Sequence, residues 1–444
     1  MKTPYLVLWG LLGLFAGALL LDRAVPAVST PQTVEISYWE KWTGFEGEAM
    51  RGTVELFNSK NIKNKRGQTI FCKLVNTTQT DRKLLMAIAG GHPPDLAGFY
   101  SYNTTNYIEK GALRPLDDLI ARDGFDTNKY IPIFWNACRY KGQTWCLPSS
   151  PASVALHWNK EMFERAGLDP ERPPRTLAEL EAFSEKLTVR DKDGRLVQTG
   201  FLPAEPGWYN WGWGYYFGGK LNVGERITAN DPKNVEAFTW AAKFAQKYGE
   251  AITSFRQGFG TFDSPQNAFL AGKVAMVQQG VWMANFIRFH KPHMRWGCAP
   301  FPSSFDNGGQ PVTITEMDVL IIPRGSAHPD EAWEVMKFIN SREGMEYFCG
   351  DKANNGGQGK FTPFKEHRPE WLAQHSHPYL QVFIDMAKSA NAAASPQLAV
   401  WDEYRNEMQT AFERCWLGQA TPQQALDEVQ ARMEWLQKVG NIQR

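Results

Sequence analysis

The sequence predicts an α/β protein of two lobes, joined by three crossings of the chain, with a ligand cleft between the lobes. Residues 34–103 alternate between strand and helix patterns, which indicates a parallel sheet covered by helices. A second α/β unit begins near Ala152. Gly-, Pro- and Ser/Asn-rich stretches at residues 147–151, 303–311 and 354–359 separate the units. Such connectors place the cleft between the lobes and a hinge behind it.

Length and composition indicate a folded protein with almost no net charge. The chain has 444 residues, enough for two or three domains. Charged residues make up 21% and the formal net charge is +1, so we expect no nucleic-acid partner. Aromatic residues reach 13%, including 17 Trp, and this excess has to lie in large cores or on stacking surfaces.

The N-terminal segment, residues 1–30, has the pattern of a secretory signal peptide. Lys2 precedes an apolar run at residues 4–21, and small residues follow, with a cleavage position after Ala27 or Ser29. The run is also close to the length that spans a bilayer, so an uncleaved membrane anchor is the alternative. Both interpretations place the rest of the chain outside the cytoplasm, in the periplasm or at the cell surface.

Six cysteines in an exported chain raise the question of disulfides. Cys138 and Cys146 flank a turn signal at Lys141-Gly142, so they could pair across a short hairpin; two small buried thiols are the alternative. The other four cysteines cannot be paired from sequence. No Cys-x-x-Cys and no His cluster has metal-ligand spacing, and we expect neither a metal nor a cofactor.

Polar and aromatic side chains follow the predicted strands of the first unit. These strands lie at residues 34–38, 69–75 and 94–99. In open parallel sheets, ligands bind outside the carboxyl ends of the strands. The candidate ligand-binding residues at this edge are Trp42, Gln79, Asp81, Tyr100 and Asn103.

An aromatic stretch at residues 205–219 is the candidate for the opposite wall of the cleft. Seven aromatic residues lie within ten positions, interleaved with Gly and Asn and preceded by Glu205. If the stretch is extended, alternation turns neighbouring rings to opposite sides. Trp208, which lies close to Glu205, is therefore preferred as a cleft residue over Trp211 and Trp213. A large mixed core is the alternative.

Four more positions concern the site. Trp282 follows a glycine at a strand end and is a candidate for ligand stacking. Trp401 opens a long C-terminal helix. Glu316 and Asp318 lie on one side of a strand by period two, where they either bind ligand hydroxyls or cap the strand end. His157 is predicted to be a core residue.

Several stretches, in this order and spacing, carry a family resemblance. They lie at residues 38–44, 83–95, 109–119, 159–168, 173–176, 268–282 and 326–333. Together they resemble the extracellular solute-binding proteins of ABC importers, family 1, in the carbohydrate-binding branch that includes maltose-binding protein. The resemblance covers nearly all of the mature chain.

The resemblance implies a periplasmic-binding-protein fold and a transport function. Such a protein captures a sugar or oligosaccharide between two closing lobes, as a monomer, and presents it to the permease subunits of an ABC importer. It implies one lobe from residues 33–148 and 312–355, and another from residues 150–302 and 360–444.

The resemblance also assigns roles to individual residues. Glu205 with Trp208, Trp282 and Trp401 would meet the sugar on the second lobe, opposite the loops that carry Trp42, Tyr100 and Asn103. Asn103 stands about where maltose-binding relatives carry an Asp. Glu316-Met317-Asp318 replaces a Gly-Gly-Trp-like turn, so the identity of the sugar stays open.

Two other function classes are open at this stage. A binder of a polyamine, quaternary amine or peptide would also show an aromatic-lined cleft, because an aromatic cage for a cation has a similar sequence pattern. A glycosidase needs two carboxylates flanking one bond, and Glu205, Glu316 and Asp318 could supply them. The chain lacks a series of strand-end acids, and we expect no enzymatic activity.

Overall fold

A mixed sheet of ten strands runs through the part of the protein that the computed structural model describes, residues 32–350 and 357–442. The predicted signal or anchor segment and residues 351–356 lie outside this part. The strands are β1 (Thr33–Glu40), β2 (Thr69–Asn76), β3 (Leu96–Tyr100), β4 (Arg139–Tyr140), β5 (Gln143–Thr144), β6 (Leu147–Asn159), β7 (Val189–Arg190), β8 (Leu196–Phe201), β9 (Asn222–Val223), β10 (Arg226–Ile227), β11 (Val274–Gly280), β12 (Trp296–Ala299), β13 (Thr313–Ile321) and β14 (Ala392–Ala393).

Helices cover this sheet and build the C-terminal part of the chain. The α-helices are α1 (Gly44–Ser59), α2 (Thr80–Ala89), α3 (Thr104–Glu109), α4 (Asp117–Asp123), α5 (Pro132–Ala137), α6 (Lys160–Arg165), α7 (Leu177–Leu187), α8 (Pro232–Tyr248), α9 (Ala251–Arg256), α10 (Met283–His290), α11 (Pro329–Ile339), α12 (Arg342–Cys349), α13 (Pro369–Gln374), α14 (Leu380–Lys388), α15 (Trp401–Trp416) and α16 (Pro422–Ile442). None of the helices in the described ranges is both long and apolar enough to cross a membrane.

The strand order is β2-β1-β3-β13-β6-β11-β8-β7, with β12 beside β6 and β14 beside β13. The first half of the sheet, β2, β1 and β3, is parallel, as the alternation of strands and helices predicts. Alternate residues of β1 are buried, and this face shares a core with Met50, Val54 and Phe57 of α1. The carboxyl ends of β1, β2 and β3 therefore lie at one edge.

The long strand β6 joins the two halves of the sheet. Its first part, to Ser153, pairs with β13, and its second part, from Val154, pairs with β11 and β12. Residues 147–151, predicted as a polar connector, thus belong to a buried strand. The predicted connector at residues 303–311 is a loop that leads back into β13.

Separate hydrophobic cores lie on the two halves. The larger core contains most of the aromatic stretch together with α8, α15 and α16. Leu380, Phe383 and Ile384 of α14 pack instead with Phe99 of the first half. The division into lobes at the predicted boundaries stays a prediction.

The hairpin predicted around Lys141-Gly142 is present. β4 and β5 are antiparallel, and both turn residues have positive φ, 49° and 79°, as a type I′ turn requires. Cys138 and Cys146 flank it as buried free thiols. Burial, together with the neighbouring Cys146 thiol, raises the pKa of Cys138 well above its ordinary value. Their pairing as a disulfide stays a prediction.

One prediction about local structure is wrong. The aromatic stretch is not extended, because Asn210–Phe217 is a 3₁₀ helix. Cβ atoms at Gly214 and Gly219 would collide with Asn234 at the start of α8, so glycine allows this helix to pack closely.

Candidate functional site

A cavity of about 600 Å³ lies between the two halves of the protein. Its walls come from the loop after β1, the segment after β3, residues 207–211, the region from β11 into α10, the middle of β13 and α15. This volume is typical of a small-molecule site. Because the first half and the second half each supply one wall, a ligand there would contact both.

Aromatic rings form two groups on opposite sides of this cavity. On one side, the Trp42 and Tyr100 rings meet edge to face at 5.7 Å, and Tyr102 stacks on Tyr100 at 5.1 Å. On the other side, the Trp208 ring lies 5.5 Å from Trp282 and 4.7 Å from Phe262. The structure thus brings Trp42, Tyr100, Trp208 and Trp282 together, as predicted.

The 3₁₀ geometry sorts the rings of the aromatic stretch by a period of three. Trp208 lies two residues before the first residue of the helix, and Trp211, three residues after Trp208, lines the same cavity. Trp213 and Tyr216, also three apart, lie in the core with ring centroids 5.7 Å apart. The preference for Trp208 over Trp213 agrees with this placement. The expected alternation does not hold, because three residues make one turn of this helix.

Gly280 fixes the position of the Trp282 ring. A Cβ atom at Gly280 would overlap the six-membered part of the indole, so the ring lies flat against the backbone at the end of β11. This close approach explains the Gly-x-Trp pattern physically. Any side chain larger than hydrogen would move the ring.

A buried charge cluster forms the floor of the cavity. The Asp318 carboxylate lies 3.0 Å from Lys41 Nζ, and it accepts hydrogen bonds from Trp42 Nε1 at 2.8 Å and Ser150 Oγ at 2.9 Å. Burial alone would raise the pKa of Asp318, but the ammonium groups of Lys41 and Lys360 and the Trp42 bond hold it below its ordinary value.

Lys360 lies between the two groups of rings. Its Nζ atom is 2.8 Å from Glu46 Oε1. It also lies 5.7 Å from the ring centroid of Trp42 and 5.9 Å from that of Trp282. With its side chain 2% exposed, Lys360 places a paired cation in contact with both aromatic walls.

Glu316 also lines the cavity and is bonded to the protein. Its carboxylate accepts hydrogen bonds from Ser101 Oγ at 2.8 Å, from Ser395 N at 2.8 Å and from the Ser395 hydroxyl. Burial raises its pKa, and these bonds oppose the shift. Glu316 therefore joins β13 to Ser101 and Ser395 in the cavity wall through hydrogen bonds.

Three predicted residues line a second cavity instead. Gln79, Asp81 and Asn103 surround a polar space of about 610 Å³ next to the first, which it meets at Tyr100 and Arg405. The carboxyl edge of the first half thus carries two adjacent cavities, whereas the sequence predicted one site.

Trp401 and Glu205 line neither cavity. Trp401 is 1% exposed and packs edge to face on Trp211 at 5.0 Å, so it supports a cavity ring from behind. Glu205 is half-buried, and this burial raises its pKa to about 7, against the opposing effect of Arg256. Neither placement favours the ligand contact that the resemblance implies.

The raised pKa of Glu205 predicts a pH-dependent stability. Its folded-state pKa is raised, so the folded protein holds a proton that the unfolded chain releases above about pH 4.5. The free energy of unfolding should fall as the pH rises from about 4.5 to about 7, by on the order of 3 kcal/mol in total for this group, and should level off above that. Melting temperatures across this range should show the loss, and Glu205→Gln should show a flatter profile. Identical profiles for both proteins would contradict it.

Several cavity residues are missing from the set predicted from sequence. On α15, the residues that line the cavity are spaced three or four positions apart, counted from the residue after Trp401, and so share one face of the helix. Trp401, Tyr404 and Met408 lie on another face and pack in the core. This helical spacing was the sequence signal that could have identified the missed residues of α15. The missed residues are Glu46, Tyr102, Tyr209, Trp211, Phe262, Phe286, Lys360, Ser395, Arg405, Asn406 and Gln409.

Comparison with known proteins decides the family. Residues 56–355, more than half of the chain, match the family model described as bacterial extracellular solute-binding protein. The chain belongs to this family. Membership in an extracellular family implies that this solute-binding protein is exported.

Solved structures share the fold of the solute-binding protein. CpMnBP1 with mannotriose bound is 26% identical, with a TM-score of 0.76 over 90% of this chain and 99% of that one. A substrate-binding protein of an ABC transporter from Listeria monocytogenes, in complex with cycloalternan, is 22% identical, with a TM-score of 0.74 over 92% and 100%. The predicted two-lobed fold is confirmed.

A curated relative is also similar along most of its length. The sn-glycerol-3-phosphate-binding periplasmic protein of Shigella flexneri is 22% identical over 93% of this chain and 94% of that protein. The predicted resemblance to extracellular solute-binding proteins of ABC importers is confirmed.

Proposed function

We propose that the solute-binding protein captures an uncharged oligosaccharide in the aromatic cavity and delivers it to the permease subunits of an ABC importer. The observation that carries this proposal is the combination of open ring faces with charged groups that are already paired within the protein. Ring faces stack on the apolar faces of sugars, and paired polar groups at the floor offer hydrogen bonds to hydroxyls.

The cations in and beside the cavity are each paired with a carboxylate of the protein. Lys360 pairs with Glu46, and Lys41 pairs with Asp318. Arg405 lies 3.1 Å from Asp402. An anionic ligand entering this site would lose its hydration without gaining an unpaired cation. This favours a neutral ligand, and both structural neighbours described above carry neutral oligosaccharides.

Two alternatives are less well supported by the same contacts. In a cage for a quaternary amine or polyamine, the cation would lie against the rings, but Lys360 already lies near Trp42 and Trp282, and Lys41 lies 4.8 Å from the Tyr100 ring. A phosphate ester would need a free cation, but Lys41 and Lys360 are both paired.

We propose binding without catalysis. A glycosidase needs one carboxyl group free to protonate the leaving oxygen and a second on the other side of the bond. Glu316 and Asp318 instead accept several hydrogen bonds from protein groups. We further propose that the protein is a monomer that is open when free and closed when a ligand is bound. One lobe comprises residues 33–148 and 312–355, and the other comprises residues 150–302 and 360–444.

Ligand titration tests the function directly. Quenching or enhancement of tryptophan fluorescence should saturate with at least one of mannobiose, mannotriose, maltotriose or cycloalternan, because several indoles line the cavity. Glycerol 3-phosphate, choline and putrescine serve as charged controls and should give no saturable change. A response confined to the charged compounds would overturn the proposal, and release of shorter sugars from the bound ligand would show an enzyme.

A further inference from the structure

The loop between α1 and β2 and the start of β2 form a strongly basic stretch of the chain. Residues 60–73 contain five lysine or arginine residues and no acidic residue, although the whole chain has a formal net charge of only +1. Lys63, Lys65 and Arg66 are exposed. Among the residues that the structure describes, no carboxylate forms an ion pair with any of these three side chains. Exposed cations of this kind attract an anionic partner.

Hydrogen bonds of the backbone hold this loop in one shape. It folds back beside β2, the outermost strand of the sheet, where Lys63 pairs antiparallel with Thr69. Asn64 Oδ1 accepts hydrogen bonds at 3.0 Å from the N atom of Arg66 and from that of the residue two positions later. The Lys65 and Arg66 side chains therefore extend into solvent from a backbone that is already ordered.

One exposed aromatic ring lies among these cations. Directly opposed residues of paired strands point to the same face, as do residues two apart along one strand. The pairing of Lys63 with Thr69 thus places Lys63 on the same face as Phe71 and Lys73. Phe71 is 44% exposed. The name basic patch is used below for Lys63, Lys65, Arg66, Phe71 and Lys73.

The basic patch lies at the opposite end of the first half from the aromatic cavity. β1 and β2 run parallel, with Thr33 beside Thr69 at their amino ends. The cavity lies beyond their carboxyl ends, after strands of eight residues, a distance of roughly 25 Å. None of the patch residues lines either cavity. A partner bound at the basic patch would therefore leave the ligand site free.

We propose that the basic patch binds the anionic surface of a phospholipid bilayer and so holds the exported protein beside the membrane that contains its permease. The cations complement the phosphate groups of anionic lipids, and an exposed Phe beside them is suited to enter the headgroup region. Thr69 N donates a hydrogen bond to Gln32 O at 2.8 Å, so the patch lies beside the point where the chain arrives from the predicted signal or anchor segment.

The exposed ring and the family favour lipid over another polyanion. The family is extracellular, where bilayer surfaces are at hand, and Phe71 would add nothing to contacts with a soluble phosphate chain. The inference is independent of the solute that fills the aromatic cavity, because the two sites share no residue.

Hydrogen exchange of the full chain on vesicles tests the basic patch. The vesicles contain phosphatidylcholine alone, or phosphatidylcholine and phosphatidylglycerol in equal parts. Exchange in the peptide that covers residues 60–73 should slow on the anionic vesicles only, at about 0.1 M salt. At about 1 M salt the slowing should vanish, because the screening length falls from about 10 Å to about 3 Å. A retained N-terminal segment would bind both kinds of vesicle, so the measure is the difference between them.

Neutralising the loop should remove this difference. The triple variant Lys63→Gln, Lys65→Gln, Arg66→Gln should lose at least about tenfold in affinity for the anionic vesicles. The matched control removes three exposed cations that are scattered over the second half: Arg165→Gln, Lys192→Gln and Lys243→Gln. It makes the same change in net charge and should bind the anionic vesicles as the wild type does. Melting temperatures show that both variants remain folded.

Phe71→Gln distinguishes a lipid surface from polyanions in general. It should weaken binding to the anionic vesicles by about fivefold, because the ring no longer enters the headgroup region. Equal exchange on the two kinds of vesicle, or equal effects of the triple variant and its control, would overturn the inference. Slowing by single-stranded DNA as strong as that by the anionic vesicles would also overturn it, since the patch would then bind any polyanion. Sugar affinity should stay at the wild-type value in all of these variants, so the proposed function is tested separately.

Discussion

Replacing Trp282 with alanine is expected to raise the dissociation constant for the bound sugar roughly thirtyfold, or about 2 kcal/mol. The ring is half-buried at the end of β11 and lies 5.5 Å from Trp208, so it offers one face to the cavity. Removing it deletes the stacked surface on one wall and leaves the charge cluster at the floor in place. Isothermal titration with the sugar identified in the panel measures the change.

A second variant tests whether the position of the ring matters as much as its presence. Gly280→Ala keeps the indole but places a methyl group where the ring now lies. We expect a loss of affinity in the same direction, because the ring must tilt away from the stacking position. Wild-type affinity in both variants would show that Trp282 does not stack on the ligand.

The matched control for Trp282 is Trp435→Ala. Trp435 lies on α16 with 58% of its surface exposed, and it lines neither cavity. The same chemical change there should leave the dissociation constant unaltered. This control also accounts for the loss of one indole from the fluorescence signal.

Replacing Asp318 with alanine is expected to lower the free energy of unfolding by about 3–5 kcal/mol. Asp318 is 4% exposed, pairs with Lys41 at 3.0 Å and accepts a hydrogen bond from the Trp42 indole. Its removal leaves the buried Lys41 ammonium with only the more distant Glu40 carboxylate, at 3.7 Å, and releases a cavity ring. Urea denaturation gives the loss of stability, and sugar affinity should fall as well because Trp42 loses its anchor.

Asp118→Ala provides the comparison for this change. Asp118 forms an ion pair with Arg114 on the surface, and its side chain is 64% exposed. Exposed pairs of this kind contribute between about 0 and 1 kcal/mol, so the same substitution should have a small effect. If Asp318→Ala is no more destabilising than Asp118→Ala, the cluster is not what holds the cavity floor.

Much of the architecture follows from local patterns. The strand and helix alternation in residues 34–103 determines a parallel first half, and the boundaries of α8, α10 and α11 agree with their apolar periodicity. The sequence also predicts four cavity rings from their positions at strand ends or beside glycines: Trp42, Tyr100, Trp208 and Trp282. These features can be predicted from sequence because each depends on neighbours within a few residues.

Other features depended on packing that local patterns do not encode. The aromatic stretch was read with a period of two, but it winds with a period of three, because Gly214 and Gly219 let it pack on α8. Trp401 lies on a helix that lines the cavity, but on the face of that helix that packs in the core, where its ring lies behind Trp211. Local hydrophobicity cannot separate a ring that lines a cavity from one that supports it.

The sequence by itself determined the family, the α/β class and the aromatic character of the site. Only the tertiary structure decided which polar and charged groups meet: Trp42 donates a hydrogen bond to Asp318, 276 residues away in the chain, and Lys360 in the C-terminal half pairs with Glu46 in the N-terminal half. The physical reason is that an ion pair depends on distance in space, and buried charges are tolerated only where a partner is brought to them. The pairing of the buried cations at the cavity, and with it the kind of ligand proposed, comes from those long-range contacts.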